Sequence, residues 1–187
     1  MDENKVINIS GINNRYQIKK LINENKQKKE RVLFNNNNID ENNLTYSNQL
    51  ESLKIIKNNF ILSDKTLNKD FNIKILMREL EKKISSYKQQ DIEKKIYCGE
   101  KFITINHIID KLVECEMKCY YCNCEMSILY DISREMKQWS VDRVDNDKGH
   151  NNDNFHLACL DCNLKRRRIT DDKFLFTKQL NIIRQDN

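Results

Sequence analysis

Two Cys-x-x-Cys pairs, Cys119-Tyr-Tyr-Cys122 and Cys159-Leu-Asp-Cys162, constrain this 187-residue chain more than any other feature. Together they supply the four thiolates of a closed tetrahedral zinc site. The interval between them is longer than in common zinc ribbons, so a further piece of structure must be threaded between the two halves of the site. Cys98, Cys115 and Cys124 are left over. Either Cys115 or Cys124 could replace one of the four ligands, and thiols that are merely buried are the plain alternative. Seven cysteines is an odd number, and the opening residues MDENKVINIS have no apolar core of a secretion signal. A disulfide framework is therefore not expected. No apolar run approaches the roughly 18 residues that span a bilayer, and the expectation is a soluble, intracellular protein without membrane contact.

The chain has room for one domain of about 100 to 150 residues and not for two cores. Residues 1–70 are rich in Asn and Lys, with the run NNNN at Asn35 to Asn38, and read as a flexible, low-complexity segment. Two weakly amphipathic pieces lie within it, Tyr16 to Phe34 and Gln49 to Leu62, neither with clear caps. Residues 71–187 read as the folded domain, with its core at 115–170. Ile73, Leu76, Leu80, Ile84 and Tyr87 recur every three or four positions and predict an amphipathic helix, with Gly99 as its stop. A second helix is predicted after the N-cap Thr104, carrying Ile105, Ile108, Ile109, Leu112 and Val113 on one face. Trp139 to Val144 and Phe155 to Cys159 read as short strands joined by a loop with turn chemistry at Asn146 to Gly149. A helix follows Cys162. A last one, about Asp172 to Arg184 with Thr170 as cap, should pack through Phe174, Phe176, Leu180 and Ile183. The expected fold class is α+β, a zinc-stapled ββα unit flanked by helices. Such a unit is too small to be stable alone, and structural zinc contributes roughly 10 to 16 kcal/mol of apparent binding energy in small peptides. A four-thiolate site has no open position, so any chemistry needs a second metal.

Between the cysteine pairs stand Asp142-Arg143-Val144-Asp145-Asn146, Gly149-His150 and Asn154, and Asn163 follows the last cysteine. This ordered set resembles the zinc-stapled HNH endonucleases, the ββα-metal or His-Me finger group, over roughly Cys119 to Arg168. The resemblance implies that Asp142 and Asn163 hold one divalent cation, Mg²⁺ or Mn²⁺, whose preference for oxygen ligands suits a carboxylate and an amide. It further implies that Asn154 braces the loop and positions the base, that the fold is ββα-metal, and that the activity is phosphodiester hydrolysis in DNA leaving 5′-phosphate and 3′-hydroxyl ends, with RNA an open alternative.

The usual family base, a histidine directly after the metal acid, is replaced by Arg143, which is a poor base and a good phosphate clamp. His150, in the Gly-[His/Tyr] position of the Asp-Arg-x-Asp-Asn variant, is the candidate general base. A surface histidine beside a turn is the plain alternative. His107 and His156 read as structural, and Tyr120 and Tyr121 as packing around the knuckle. Lys165, Arg166, Arg167 and Arg168 follow Asn163 and read as a backbone-binding run, consistent with the net charge of +5. No base-reading element is apparent, so weak or no sequence specificity is expected. Two rivals remain: a catalytically inactive zinc-stabilised nucleic-acid-binding module, and a protein-interaction domain of the RING or treble-clef type, which leaves Asp142, His150 and Asn163 unexplained.

Overall fold

The structure, a computed structural model, describes residues 31, 45–62 and 71–180. Its elements in order are helices α1 (Tyr46–Leu62), α2 (Phe71–Glu93) and α3 (Ile105–Glu114), strands β1 (Trp139–Arg143) and β2 (Phe155–Cys159), and helices α4 (Leu160–Arg166) and α5 (Asp171–Gln179). The protein is α+β, with a two-stranded antiparallel sheet.

On α2 the predicted stripe is the buried face: Ile73, Leu76, Leu80 and Tyr87 are buried and Ile84 packs half-buried against them. The helix stops well before Gly99. Lys95 takes the left-handed conformation, with φ 60°, its N–H donates to the Ile92 carbonyl and the Ile96 N–H to the Asp91 carbonyl. Those two bonds are the crossed pair of a Schellman ending, with a lysine where glycine is usual. At α3 the Thr104 hydroxyl accepts from the His107 N–H, and the His107 ring nitrogen accepts from the Thr104 N–H, a reciprocal capping box. Ile108, Ile109 and Leu112 are buried there, with Ile105 and Val113 half-buried beside them.

Helix α1 revises the expected boundary at residue 70. Leu53 and Ile56 are buried in the same core as α2 and α3. Buried Gln49 accepts from the N–H groups of Ile128 and Leu129, both at 2.8 Å, and donates to the Leu129 carbonyl at 3.1 Å. The amphipathic pattern of this helix is weak because a polar residue holds one deep position through hydrogen bonds. Of the stretch Tyr16 to Phe34, only Arg31 lies within the described residues; its guanidinium pairs with Glu79 on α2 at 2.5 Å.

The hairpin registers Trp139 with Cys159, Val141 with Leu157 and Arg143 with Phe155. Trp139 is buried, edge-on to Tyr87 at 6.5 Å, and the Lys83 ammonium donates to the Gln138 side chain at 2.9 Å and to the Trp139 carbonyl. These contacts fix the hairpin's open end to α2. Helix α4 starts directly at the end of β2, earlier than predicted, because the Cys159 sulfur accepts the Cys162 N–H as its cap. On α5, Thr170 occupies the N-cap position without a side-chain cap bond. Phe174 is buried, but Phe176 is 62% exposed and Leu180 is exposed too, so the predicted packing face shrinks to the single buried Phe174 with Leu175 half-buried beside it. Ile183 lies outside the described residues. Among the described residues, no helix is long and apolar enough to cross a membrane.

Candidate functional site

The sulfurs of Cys119, Cys122, Cys159 and Cys162 all lie within 4.8 Å of one another, with 3.9 Å between Cys122 and Cys159. A tetrahedron with zinc–sulfur bonds near 2.3 Å has sulfurs about 3.8 Å apart, so the spacing suits such an ion. The first knuckle is shaped by Asn123, left-handed at φ 55°, and is tied to β2 by the Tyr120 N–H on the Leu157 carbonyl at 3.0 Å. Crowding raises two of these thiols. A hydrogen bond with Cys159 and then burial push Cys119 up to about 12, while burial and then the charge of Cys119 push Cys162 up to about 12. Four thiolates cannot coexist here without a cation among them, and the cluster can hold a metal such as zinc. No other such group occurs among the described residues, which leaves Cys98, Cys115 and Cys124 outside it.

Asp142 is buried, and its partners come from two directions. Tyr121 on the first knuckle donates to Oδ2 at 2.6 Å. Arg166 on α4 donates from Nη2 to Oδ1 at 3.0 Å and brings Nε to 2.6 Å from Oδ2, close for an ion pair though off-line for a straight hydrogen bond. The same guanidinium donates to the carbonyls of Arg143 and Ile169. Burial, and then the bond to Asp142, hold the Tyr121 phenol above its usual range, so it is a donor.

Arg166 therefore departs from the expected basic run. It is 1% exposed and points inward because the buried carboxylate needs a counter-charge. Lys165, Arg167 and Arg168 are exposed, with Lys165 paired to Asp161 at 2.7 Å. The groove beside them, about 410 Å³, is lined by Asp145, Asp147 and Asp171 as well as Arg168. The surface is thus mixed in charge.

Asn163 lies against β1, its amide nitrogen donating to the Ser140 hydroxyl and the Val141 carbonyl, both at 3.1 Å. Only its oxygen is left for a ligand. Asn154 closes the strand–strand loop: its oxygen accepts the Asp145 N–H at 2.9 Å, and its nitrogen donates to the carbonyls of Asp145 and Gly149. Arg143 donates to the Lys148 carbonyl across the same loop at 2.9 Å.

His150 is not a surface histidine, and its side-chain partner is neither Asp142 nor Arg166. It is 4% exposed and bound twice to Asp91 of α2: its N–H donates to Oδ2 at 2.6 Å, and Nδ1 lies 2.7 Å from Oδ1. Its ring stacks on Tyr87 at 4.5 Å, and the Tyr87 hydroxyl accepts the Val141 N–H at 3.0 Å, so Tyr87 links the histidine to the strand that carries Asp142. Burial outweighs the raising influence of Asp91 and holds His150 below its ordinary value, aided by the positive charges of Arg143 and Lys94. Its imidazole is mainly neutral at pH 7.

Tyr121, Arg166, Tyr87 and Asp91 carry these contacts, and sequence reasoning assigned none of them this role. For Asp91 a signal existed: it follows Tyr87 by one helical turn, so an acid continues the apolar stripe of α2. His156 pairs with Asp171 at 3.1 Å, stacks on Tyr120 at 3.7 Å and lies edge-on to Tyr121 at 6.4 Å, opposite Asp142 in the hairpin register. No family model, curated protein or solved structure matches this chain.

Proposed function

We propose that the chain is an HNH-type endonuclease that hydrolyses phosphodiester bonds in DNA with weak or no sequence specificity, its hairpin and α4 stapled by zinc on Cys119, Cys122, Cys159 and Cys162. The observation that supports this most directly is the anchoring of Asn163, on the helix after the second cysteine pair, to the strand that carries the buried Asp142: its amide nitrogen donates to the Ser140 hydroxyl and the Val141 carbonyl, which leaves its oxygen as the group open to a ligand. Asp142 and Asn163 would hold Mg²⁺ or Mn²⁺. A carboxylate has about four lone-pair sites; on Asp142 Tyr121 takes one on Oδ2 and Arg166 one on Oδ1 by hydrogen bonds, with Arg166 Nε crowding Oδ2, so the open position is on Oδ1. The donors suit a hard cation, which must share that carboxylate with Arg166 or displace it. Once bound, such a cation supplies charge neutralisation on the scissile phosphate and stabilises the leaving oxygen. The protein's own groups do the rest: neutral His150 takes the proton of the attacking water, Arg143 clamps a phosphate oxygen, and Asn154 keeps the loop between them in one shape.

A second reading has an observation in its favour. Arg166 already sets a positive charge against Asp142, as a module that binds nucleic acid without cutting it would require. Supercoiled plasmid separates the two. Nicking by the purified protein with Mg²⁺ or Mn²⁺, and none with chelator, is the result expected of the nuclease. A protein that retards the plasmid and never nicks it under either metal is the binding module.

A further inference from the structure

We propose that Asp91, on α2 and outside the cysteine-bounded hairpin, is the positioning residue that presents His150 to water with its proton on Nδ1 and its lone pair on Nε2. This rests on the nuclease reading above.

The geometry leaves Asp91 little choice of partner. Each carboxylate oxygen is directed at one donor of the same residue, the backbone N–H at 2.6 Å and Nδ1 at 2.7 Å. An oxygen facing Nδ1 requires the proton there, which leaves Nε2 as the basic atom. Asp91 is itself fully buried, and its carbonyl accepts the Ile96 N–H that closes the end of α2, so its backbone is fixed at the point where the side chain departs. The loop is fitted to it. A Cβ built on Gly149 would lie 2.7 Å from the Ile96 carbonyl oxygen and 2.8 Å from Asp91 Oδ2, so glycine is required by close approach. On the far side the His150 carbonyl accepts the Ile103 N–H at 2.9 Å, and Tyr87 fixes the ring plane by stacking. Both main-chain groups and one ring nitrogen of His150 are therefore held by residues before Lys118. A cysteine-bounded hairpin alone would hold the loop through Asn154 but leave His150 itself without these bonds.

Asparagine at position 91 tests this sharply because it has one acceptor oxygen where the carboxylate has two. If that oxygen keeps the backbone N–H of His150, the amide nitrogen faces Nδ1 and forces the ring proton to Nε2, which removes the base. The same logic makes a carboxylate-to-amide change costly wherever an acid sets a catalytic histidine's tautomer.

The decisive measurement is nitrogen NMR of the three histidines in wild type and Asp91→Asn, both checked for retained zinc, together with plasmid nicking against pH. Wild-type His150 should carry its proton on Nδ1, and Asp91→Asn should move it to Nε2. Nicking should fall at least about a hundredfold, the lower range for losing a general base. The groups facing His150 are Asp91 and Tyr87 from α2, Lys94 after it and Arg143 from β1. Of these only Asp91 raises the imidazole pKa, so the acid limb of the residual activity should move to lower pH, a shift that loose packing alone would not give. A wild-type proton on Nε2, or an unshifted tautomer and profile in Asp91→Asn, overturns the inference while an active wild type keeps the nuclease reading. An inactive wild type with the proton on Nδ1 does the reverse: it overturns the nuclease reading and upholds the pairing.

Discussion

Two buried carboxylates, Asp142 and Asp91, each hold a basic side chain, and they leave those partners in opposite states. Asp142 is met by a permanently charged guanidinium and a phenol, and Arg166 turns its remaining donors to the carbonyls of Arg143 and Ile169. Asp91 holds one ring nitrogen, Nδ1, of a neutral imidazole and does not engage the other. The first pair is assembled within the cysteine-bounded unit: knuckle, β1 and α4 each supply a member. The second spans the hairpin loop and the end of α2. A closed ion pair commits both of its charged groups to each other, whereas a half-engaged histidine is the arrangement that the proposed mechanism uses for proton transfer. The cysteine-bounded hairpin and the helical frame thus make separate contributions, and neither contains the whole candidate site.

The largest effect that could undo this contrast comes from the metal. Replacing Cys119 and Cys159 with serine, or adding a strong chelator, should remove the zinc proposed here and with it an interaction of roughly 10 to 16 kcal/mol in comparable small sites. Hydrogen exchange should then rise first across residues 119–166, where the Asp142 pair sits, while the buried stripe of α2 stays protected longer. Equal and simultaneous loss of protection in both regions would mean that one cooperative unit carries both pairs.

How far these features are readable from the sequence follows the same division. The cysteine pairs, both strands, the stripe of α2 and the cap at Thr104 are local patterns, and each stands in the structure near its predicted place. The features that sequence reading misses depend on long-range partners. Gln49 buries itself through bonds to residues some eighty positions away, which no periodicity reveals. Arg166 resembles its neighbours in a basic run and differs from them only because Asp142 lies across from it. Asp91 is 59 positions from His150, so only its place on an apolar stripe hints at burial.

A smaller effect bears on the charges of the two pairs. Arg166→Met should destabilise the protein by about 3 to 5 kcal/mol in urea, the usual consequence of leaving a buried charge without its partner. Asp91→Asn should cost less, about 1 to 3 kcal/mol, because the imidazole it abandons is neutral and only hydrogen bonding is lost. Mn²⁺ should return part of the stability of Arg166→Met if Asp142 takes a cation, and should do nothing for Asp91→Asn. Equal losses in the two variants, indifferent to metal, would erase the distinction between a closed pair and an open one.

No larger than that of Asp91→Asn is the effect of Gly149→Ala. The added methyl meets a backbone carbonyl at 2.7 Å and the Asp91 carboxylate at 2.8 Å, whereas Gly99→Ala meets only the Tyr97 side chain, at 3.7 Å or more. Overpacking of the first kind costs about 1 to 3 kcal/mol, and Gly99→Ala should stay within about 0.5 kcal/mol. Under the proposed mechanism Gly149→Ala should also slow nicking with DNA affinity unchanged, since it separates His150 from Asp91 and touches no phosphate-binding group.

The smallest expected change in stability divides the basic run itself. Lys165, Arg167 and Arg168 are exposed and Arg166 is not, so neutralising the exposed three should alter stability by no more than about 0.5 kcal/mol each. Their effect should appear instead in the salt dependence of DNA binding. Removing one side chain that neutralises a phosphate should reduce the slope of log affinity against log salt by about 0.9, so Arg167→Gln with Arg168→Gln should lower it by about 1.8 if both touch phosphate. Arg166→Met should leave that slope nearly unchanged in whatever fraction remains folded, because its guanidinium is committed to Asp142 and to two carbonyls. Fluorescence anisotropy over a salt series measures both. A slope that falls as much for Arg166→Met as for either exposed arginine would show that Arg166 leaves Asp142 when nucleic acid binds, and the pair described as closed would then be a switch.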